Sequence, residues 1–190
     1  MSVNFKYRRI TPQELAAFQN DPSSIAAFFG TDKLDRFLGD EEFDEGAYLD
    51  EPSPVDDPER LFDLTNSGMA VHYLLTGEIM PSQSNAPPPL VYVVMGGTPI
   101  SGEDVGYGPP RFLTPEQVKE AANALSKLAP EDLRGGFDVA AYNAGGGYPA
   151  MSATGWEAED IEPLLEEYAD LRNFFQEAAE CGDALLLWSD

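Results

Sequence analysis

His72 and Cys181 are the single histidine and the single cysteine of this 190-residue chain, and they bound its acid–base and nucleophilic chemistry. One histidine cannot build a multi-histidine zinc or di-iron centre. A Ser-His-Asp or Cys-His arrangement would have to run through that same residue. His72 falls one turn after Gly68 and Met69 and one turn before Leu75 and Thr76, on or beside the apolar stripe of a predicted helix. The ordinary expectation is a partly buried histidine satisfied by a carbonyl or carboxylate, and the alternative is a catalytic or ligand-binding role. Cys181 stands between Glu180 and Gly182-Asp183, and acidic neighbours disfavour a thiolate. It reads as a small residue at a helix end.

The glycine-rich stretches invite a phosphate reading that their details do not support. Gly96-Gly97-Thr98 follows an apolar run, but no lysine stands in the phosphate-loop position. Gly102, Gly106 and Gly108 lack the dinucleotide-binding order, and Gly145-Gly146-Gly147 reads as a flexible turn. Carboxylates are so abundant that no acid–base pair can be singled out. Four residues remain as candidates for a ligand site: His72, Tyr107, Arg111 and Tyr148. The last three, with Trp156, sit in or beside loops, where binding residues collect. Arg111 is also a rare positive charge, whose ordinary role would be pairing with a nearby acid. No metal site and no cofactor are expected.

Acids outnumber bases 34 to 11, for a net charge of -23. Such a surface repels nucleic acid and anionic membrane faces. No apolar run is long enough to span a bilayer, and Met1 to Ile10 shows no apolar signal-peptide core. With one cysteine, no internal disulfide can form, and a cytoplasmic location is expected. Hydrophobic residues make up 43% of the chain, enough to bury a core.

The elements that must position these residues can be read from periodicity. Val3, Phe5 and Tyr7 alternate with polar residues, as in a half-buried strand. Thr11-Pro12-Gln13-Glu14 and Thr114-Pro115-Glu116-Gln117 are capping-box starts of helices. Asp21-Pro22 opens another short helix. Residues 40–63 hold eleven acids and one base, with Pro52, Pro54 and Pro58, so an acidic surface loop is expected near 40–57. Glu59 to Thr76 reads as a helix with a break near Thr65–Gly68, ended by a left-handed Gly77. Leu90 to Met95 reads as a buried central strand, and Arg111–Leu113 as a short one. Pro130 opens a short helix, and Tyr142 to Gly147 reads as a turn. Trp156 to Glu180 reads as a long helix with Ile161, Leu164, Leu165, Tyr168, Leu171, Phe174, Phe175 and Ala178 inward. Ala184 to Trp188 closes the chain as a strand. This irregular interleaving predicts one α+β domain over 1–190, with a mixed or antiparallel sheet packed with several helices.

Several segments, taken in order, resemble the YfbM-like family of bacterial proteins. They are Asp63-Leu64-Thr65-Asn66, His72-Tyr73-Leu74-Leu75-Thr76-Gly77, and Pro89-Leu90 leading to Gly96-Gly97. Gly106-Tyr107-Gly108-Pro109 with Arg111, Leu113-Thr114-Pro115-Glu116-Gln117-Val118, Tyr148-Pro149 and Trp156 complete the series. The resemblance spans nearly the whole chain and implies an α+β fold in a cytoplasmic bacterial protein. It implies no activity, because the family has none assigned. The chain departs from the pattern at Asn66, where a lysine is frequent, and at Gly68, where a tryptophan is frequent. Gly145-Gly146-Gly147 also stands before Tyr148-Pro149, where an isoleucine is usual.

Two functional readings follow. The first is a non-enzymatic interaction module that binds a basic protein through its acidic surface. The alternative is a small-molecule binding protein or enzyme with a site around His72, Tyr107, Arg111 and Tyr148. A nucleic-acid mimic would need acids in ordered rows, which the proline-rich 40–63 stretch does not offer.

Overall fold

The computed structural model describes residues 3–30, 57–100, 104–148 and 155–190. The expected acidic loop near 40–57 lies outside them, Asp57 excepted. Five antiparallel strands form one sheet: β1 (Phe5–Ile10), β2 (Leu61–Leu64), β3 (Thr98–Pro99), β4 (Arg111–Leu113) and β5 (Ala184–Ser189). Their order is β2-β1-β5-β4-β3. Seven α-helices accompany it among the described residues: α1 (Pro12–Asn20), α2 (Ser24–Phe29), α3 (Gly68–Thr76), α4 (Pro115–Leu125), α5 (Pro130–Leu133), α6 (Val139–Ala144) and α7 (Ile161–Cys181). This is the α+β architecture expected from the sequence.

The C-terminal strand β5 occupies the centre of the sheet, and all six of its residues are buried. Its continuous apolar run follows from that position, because both faces are covered. Side chains alternate across a strand. Leu185 and Leu187 enter the larger core with residues of α3, α4 and α7, whereas Ala184 and Leu186 enter a smaller core with Leu15 and Phe18 of α1 and Ile25 of α2. Leu113 and Phe112 of β4 divide between the two cores in the same way.

The two capping-box starts behave as the sequence reads, whereas the long helix begins at Ile161 and not at Trp156, after a 3-10 turn at Ala158–Asp160. Thr11 Oγ1 accepts from the Glu14 amide at 3.1 Å, and Glu14 Oε2 accepts from the Thr11 amide at 2.6 Å. Thr114 and Gln117 repeat the arrangement at 3.3 and 3.0 Å. Each box satisfies helix-end donors that would otherwise face only water, worth on the order of 1 kcal/mol. Gly77 ends α3 at φ 75°, and its amide donates to the Tyr73 carbonyl. On α7, the Tyr168 hydroxyl donates toward the Leu128 carbonyl at 2.8 Å and the Leu125 carbonyl at 3.1 Å, so the long helix closes the C-terminal end of α4.

Three expectations need correction. Leu90 to Met95 is not a central strand: Leu90–Tyr92 is a 3-10 turn, and the chain goes on turning to Met95. Val93 and Val94 are both fully buried in this turn. The turn is so tight that a Cβ on Gly96 would strike the backbone of Val91 and Tyr92. Second, Glu59 to Thr76 is not one interrupted helix. Leu61–Leu64 pairs with β1 as an edge strand, and a turn with Asn66 at φ 52° leads into α3. Third, Tyr142 belongs to a short helix, α6, whose N-cap Asp138 accepts from the Ala141 amide at 2.9 Å.

Gly68, one of the departures from the family pattern, has a packing cause. The buried Phe5 ring of β1 lies over it, and a Cβ on Gly68 would fall inside that ring. In this chain the space a side chain would need there is filled from the sheet.

Candidate functional site

Arg111 opens β4, opposite Leu187 of β5 and Pro99 of β3. Its partly buried guanidinium turns back over the preceding glycines. Nε donates to the Gly96 carbonyl at 3.1 Å and Nη2 to the Gly97 carbonyl at 2.6 Å. Gly97 stands at φ 80°, and a Cβ there would strike the Phe112 carbonyl, so this close approach requires glycine. Burial pushes the Arg111 pKa below its usual value, and no carboxylate opposes the shift. An arginine stays charged nonetheless. Its Nη1 group has no partner among the described residues, and no carboxylate among them lies within ion-pair distance.

Tyr107 reaches the same place from the loop before β4. Its amide donates to the Ser189 carbonyl at 2.8 Å, and Gly106 packs against that carbonyl too closely for any side chain. The Tyr107 backbone is thereby fixed to the end of β5, while its side chain is left 52% exposed. Arg111 and Tyr107 share a cavity of about 460 Å³ with Tyr92 and Met95 from the 90–95 turn and Ser82 and Ser84 from the 81–84 segment. The volume lies within the range of small-molecule sites. Among the twelve described residues lining it, none is acidic, although acids make up 34 of the chain's 190 residues. A wider, shallower depression of about 520 Å³ uses Met80 and Gln83 of the same segment and carries Glu78.

The other two candidates lie elsewhere. His72 is fully buried on α3 and does not line the Arg111 cavity. Its two ring nitrogens have no hydrogen-bond partner among the described residues. Burial lowers its pKa to about 4, against a small opposing pull from the Glu78 charge, so the imidazole is neutral at pH 7. Tyr148 is partly buried, and its carbonyl accepts from the Tyr142 hydroxyl at 2.8 Å. Trp156 packs edge-on to Tyr142, with ring centroids 5.5 Å apart, and the Asn143 side chain brackets its backbone at 2.8 and 2.9 Å. The structure therefore joins Tyr107 with Arg111 and places His72 and Tyr148 in separate packing environments. It adds Tyr92, Met95, Ser82 and Ser84, which the sequence reading did not single out. The one sequence signal for them was Gly96-Gly97, a pair demanding unusual backbone close to an arginine.

A small pocket of about 70 Å³ lies between the turn before α3 and the start of α7, where the Ser67 hydroxyl donates to Glu167. Burial raises the Glu167 pKa, and the Ser67 hydrogen bond partly offsets the shift. Among the described residues, no group of three or more histidines, cysteines and carboxylates is arranged to hold a metal ion.

A family model described as "Domain of unknown function (DUF1877)" matches residues 1–188. The chain belongs to this family. A solved structure described as a protein of unknown function, YfbM from Escherichia coli, shares the fold with a TM-score of 0.61. That match covers 98% of each chain at 17% sequence identity, which is a likeness of fold alone. No curated protein matches the chain. DUF1877 membership thus brings an architecture without a chemistry, and the site must be read from its own residues. Among the described residues, no helix is long and apolar enough to cross a membrane.

The buried histidine gives a signed pH prediction. Its folded pKa is about 4, against the ordinary value of 6.5. Above pH 6.5 the neutral imidazole is at no disadvantage in the folded state. As the pH falls from 6.5 towards 4, the unfolded chain takes up a proton that the folded chain refuses, and stability is lost. The full shift corresponds to about 3 kcal/mol. Urea unfolding of the native protein and of His72→Gln should give a stability difference that is constant above pH 7 and shifts against the native protein by up to that amount at pH 4. Parallel pH profiles would show that the imidazole is not enclosed.

Proposed function

We propose that this chain is a binding module for a small anionic molecule, which it holds in the Arg111 cavity. One observation carries the reading: a partly buried guanidinium lines an open cavity with no carboxylate against it among the described residues, in a chain of net charge -23. Of the other eight described cations, five have a carboxylate within ion-pair distance, and the three that do not, Lys119, Lys127 and Arg172, lie outside this cavity. Lys6 pairs with Asp190 at 2.8 Å, Arg9 with Asp183 at 2.9 Å and Arg134 with Glu162 at 2.9 Å, while Arg8 and Arg60 each have an acid at 3.5 Å. In so acidic a molecule, a wall free of acids beside a free guanidinium edge favours a ligand that brings its own negative charge. The test is a fragment screen followed by amide chemical shifts, with anionic, neutral and cationic fragments in equal number. Hits should be predominantly anionic and should move the signals of Gly96, Gly97, Tyr107 and Arg111. Hits that are mostly cationic, or that cluster elsewhere, would contradict the reading.

The charge also favours a second reading, in which the acidic surface docks a basic protein in the bacterial cytoplasm. The ion pairs above engage five of the nine bases among the described residues, and with 34 acids to 11 bases in the chain most acids must stay unneutralised. Long-range attraction of this kind raises association rates and fades with salt. The same field keeps nucleic acid and anionic membrane surfaces away. Partner capture from source lysate should recover one basic protein at low salt, with at least a tenfold loss on raising salt from about 50 to 500 mM, where screening is strong. Recovery unaffected by salt, or of an acidic protein, would contradict it.

A further inference from the structure

The Arg111 cavity contains more information than the sign of its ligand's charge. Resting on the reading of this cavity as an anion site, we propose that the ligand is a monocarboxylate carried on a flat apolar body, and not a phosphate ester. Three observations lead there. The first is the guanidinium itself. Arg111 spends Nε on the Gly96 carbonyl and one Nη2 hydrogen on the Gly97 carbonyl. What remains is the end of the fork, with Nη1 and the second Nη2 hydrogen side by side. Two parallel donors match the two oxygens of one carboxylate.

The second observation is what the cavity lacks. No second cation lines it among the described residues, and Gly96 and Gly97 direct their carbonyls to the guanidinium. A phosphate monoester carries up to two charges and three terminal oxygens, and sites for it combine several cations or backbone amides. Each further negative charge on the ligand also works against the charge of -23 on the protein. One guanidinium edge suits one negative charge.

The third observation is the body of the site. Tyr92, Met95 and Tyr107 give it aromatic and thioether walls. Tyr107 is one of the two large apolar side chains that stay exposed among the described residues, at 52%. Because the Tyr107 backbone is tied to Ser189, its ring can turn onto a flat ligand without moving the loop. Aromatic rings favour such stacked or edge-on contact.

The experiment uses the full chain, labelled with nitrogen-15, and three matched probes: phenylacetate, phenylacetamide and phenyl phosphate. The acetamide has the same shape without the charge, and the phosphate has the charge without the planar fork. Phenylacetate should shift Gly96, Gly97 and Tyr107 and bind at least about tenfold more tightly than either other probe, a difference that one paired charge readily gives. Tyr107→Ala should weaken phenylacetate by about fivefold or more while leaving the remaining spectrum unchanged, since the side chain is exposed and its backbone bond is kept. Arg111→Lys keeps the charge but not the fork, and should abolish the preference for carboxylate over phosphate. Phenyl phosphate binding in the cavity as tightly as phenylacetate would overturn the carboxylate assignment and leave the anion reading standing. Equal binding of all three probes, or no phenylacetate binding in the cavity at about 10 mM, a concentration well above the Kd of a weak fragment, would overturn both.

Discussion

The position of β5 between β1 and β4 is the constraint on which the rest of the structure depends. Residues 184–189 fill the middle of the sheet, so neither half of the sheet is complete until they have arrived. β1 pairs with it along its full length, from Phe5 opposite Ser189 to Ile10 opposite Ala184, and the Asn4 and Asp190 backbones exchange two further hydrogen bonds. On the other side, Leu185 to Leu187 pair with β4. Contacts between sequence ends cost loop-closure entropy before they are rewarded, and they are offset here by a strand buried on both faces. The candidate site inherits its geometry from the same strand. Arg111 is placed by its register opposite Leu187, and Tyr107 by the hydrogen bond of its amide to Ser189.

Charge is the second organising fact. A chain this acidic places most of its described arginines against carboxylates, and on the face of β1 that carries Ile10 even the buried Arg8 has Asp57 at 3.5 Å. Arg111 is held differently, by two peptide carbonyls. Those carbonyls satisfy part of its hydrogen-bonding capacity and leave its charge without a carboxylate partner among the described residues. A neutral clamp therefore does two things at once: it fixes a tight glycine turn, and it keeps a positive charge available to a ligand. Removing the side chain would release the turn as well as the charge, which is why Tyr107, exposed and free of structural duties beyond its backbone, is the cleaner probe of the cavity.

Much of this fold was legible in the sequence because its signals are local. Thr11 and Thr114 announce their helices by residues three positions away, Gly77 ends α3 by its backbone freedom, and the inner stripe of α7 repeats without interruption. Leu90 to Met95 was not legible, because a short apolar run satisfies a buried turn as well as a buried strand. Only the arrival of β5 decides that the central place is already taken. Leu61–Leu64 was absorbed into the helical stripe that follows it, since periodicity cannot show that a strand ends at Leu64 and a helix begins at Gly68. Arg111 and Tyr107 stood out by type, one a scarce cation and the other a loop aromatic. Their cavity did not, because it is assembled from segments near 82, 92, 96 and 107 that share no pattern. His72 drew attention by being unique, and its burial without described partners follows from the helix face it occupies.

The central claim is that one edge of the Arg111 guanidinium is bound within the protein and the other is free for a ligand. Nitrogen-15 NMR of the arginine side chains in the ligand-free protein tests it directly. The Arg111 Nε–H should exchange slowly with solvent, rotation about its Cζ–Nη2 bond should be hindered, and its Nη1 protons should exchange fast, whereas Arg172, which has no hydrogen bond or ion pair among the described residues, should show free rotation throughout. An Arg111 that averages like Arg172 would show that the clamp does not exist. Slow exchange at Nη1 would show that the edge assigned to the ligand is already occupied.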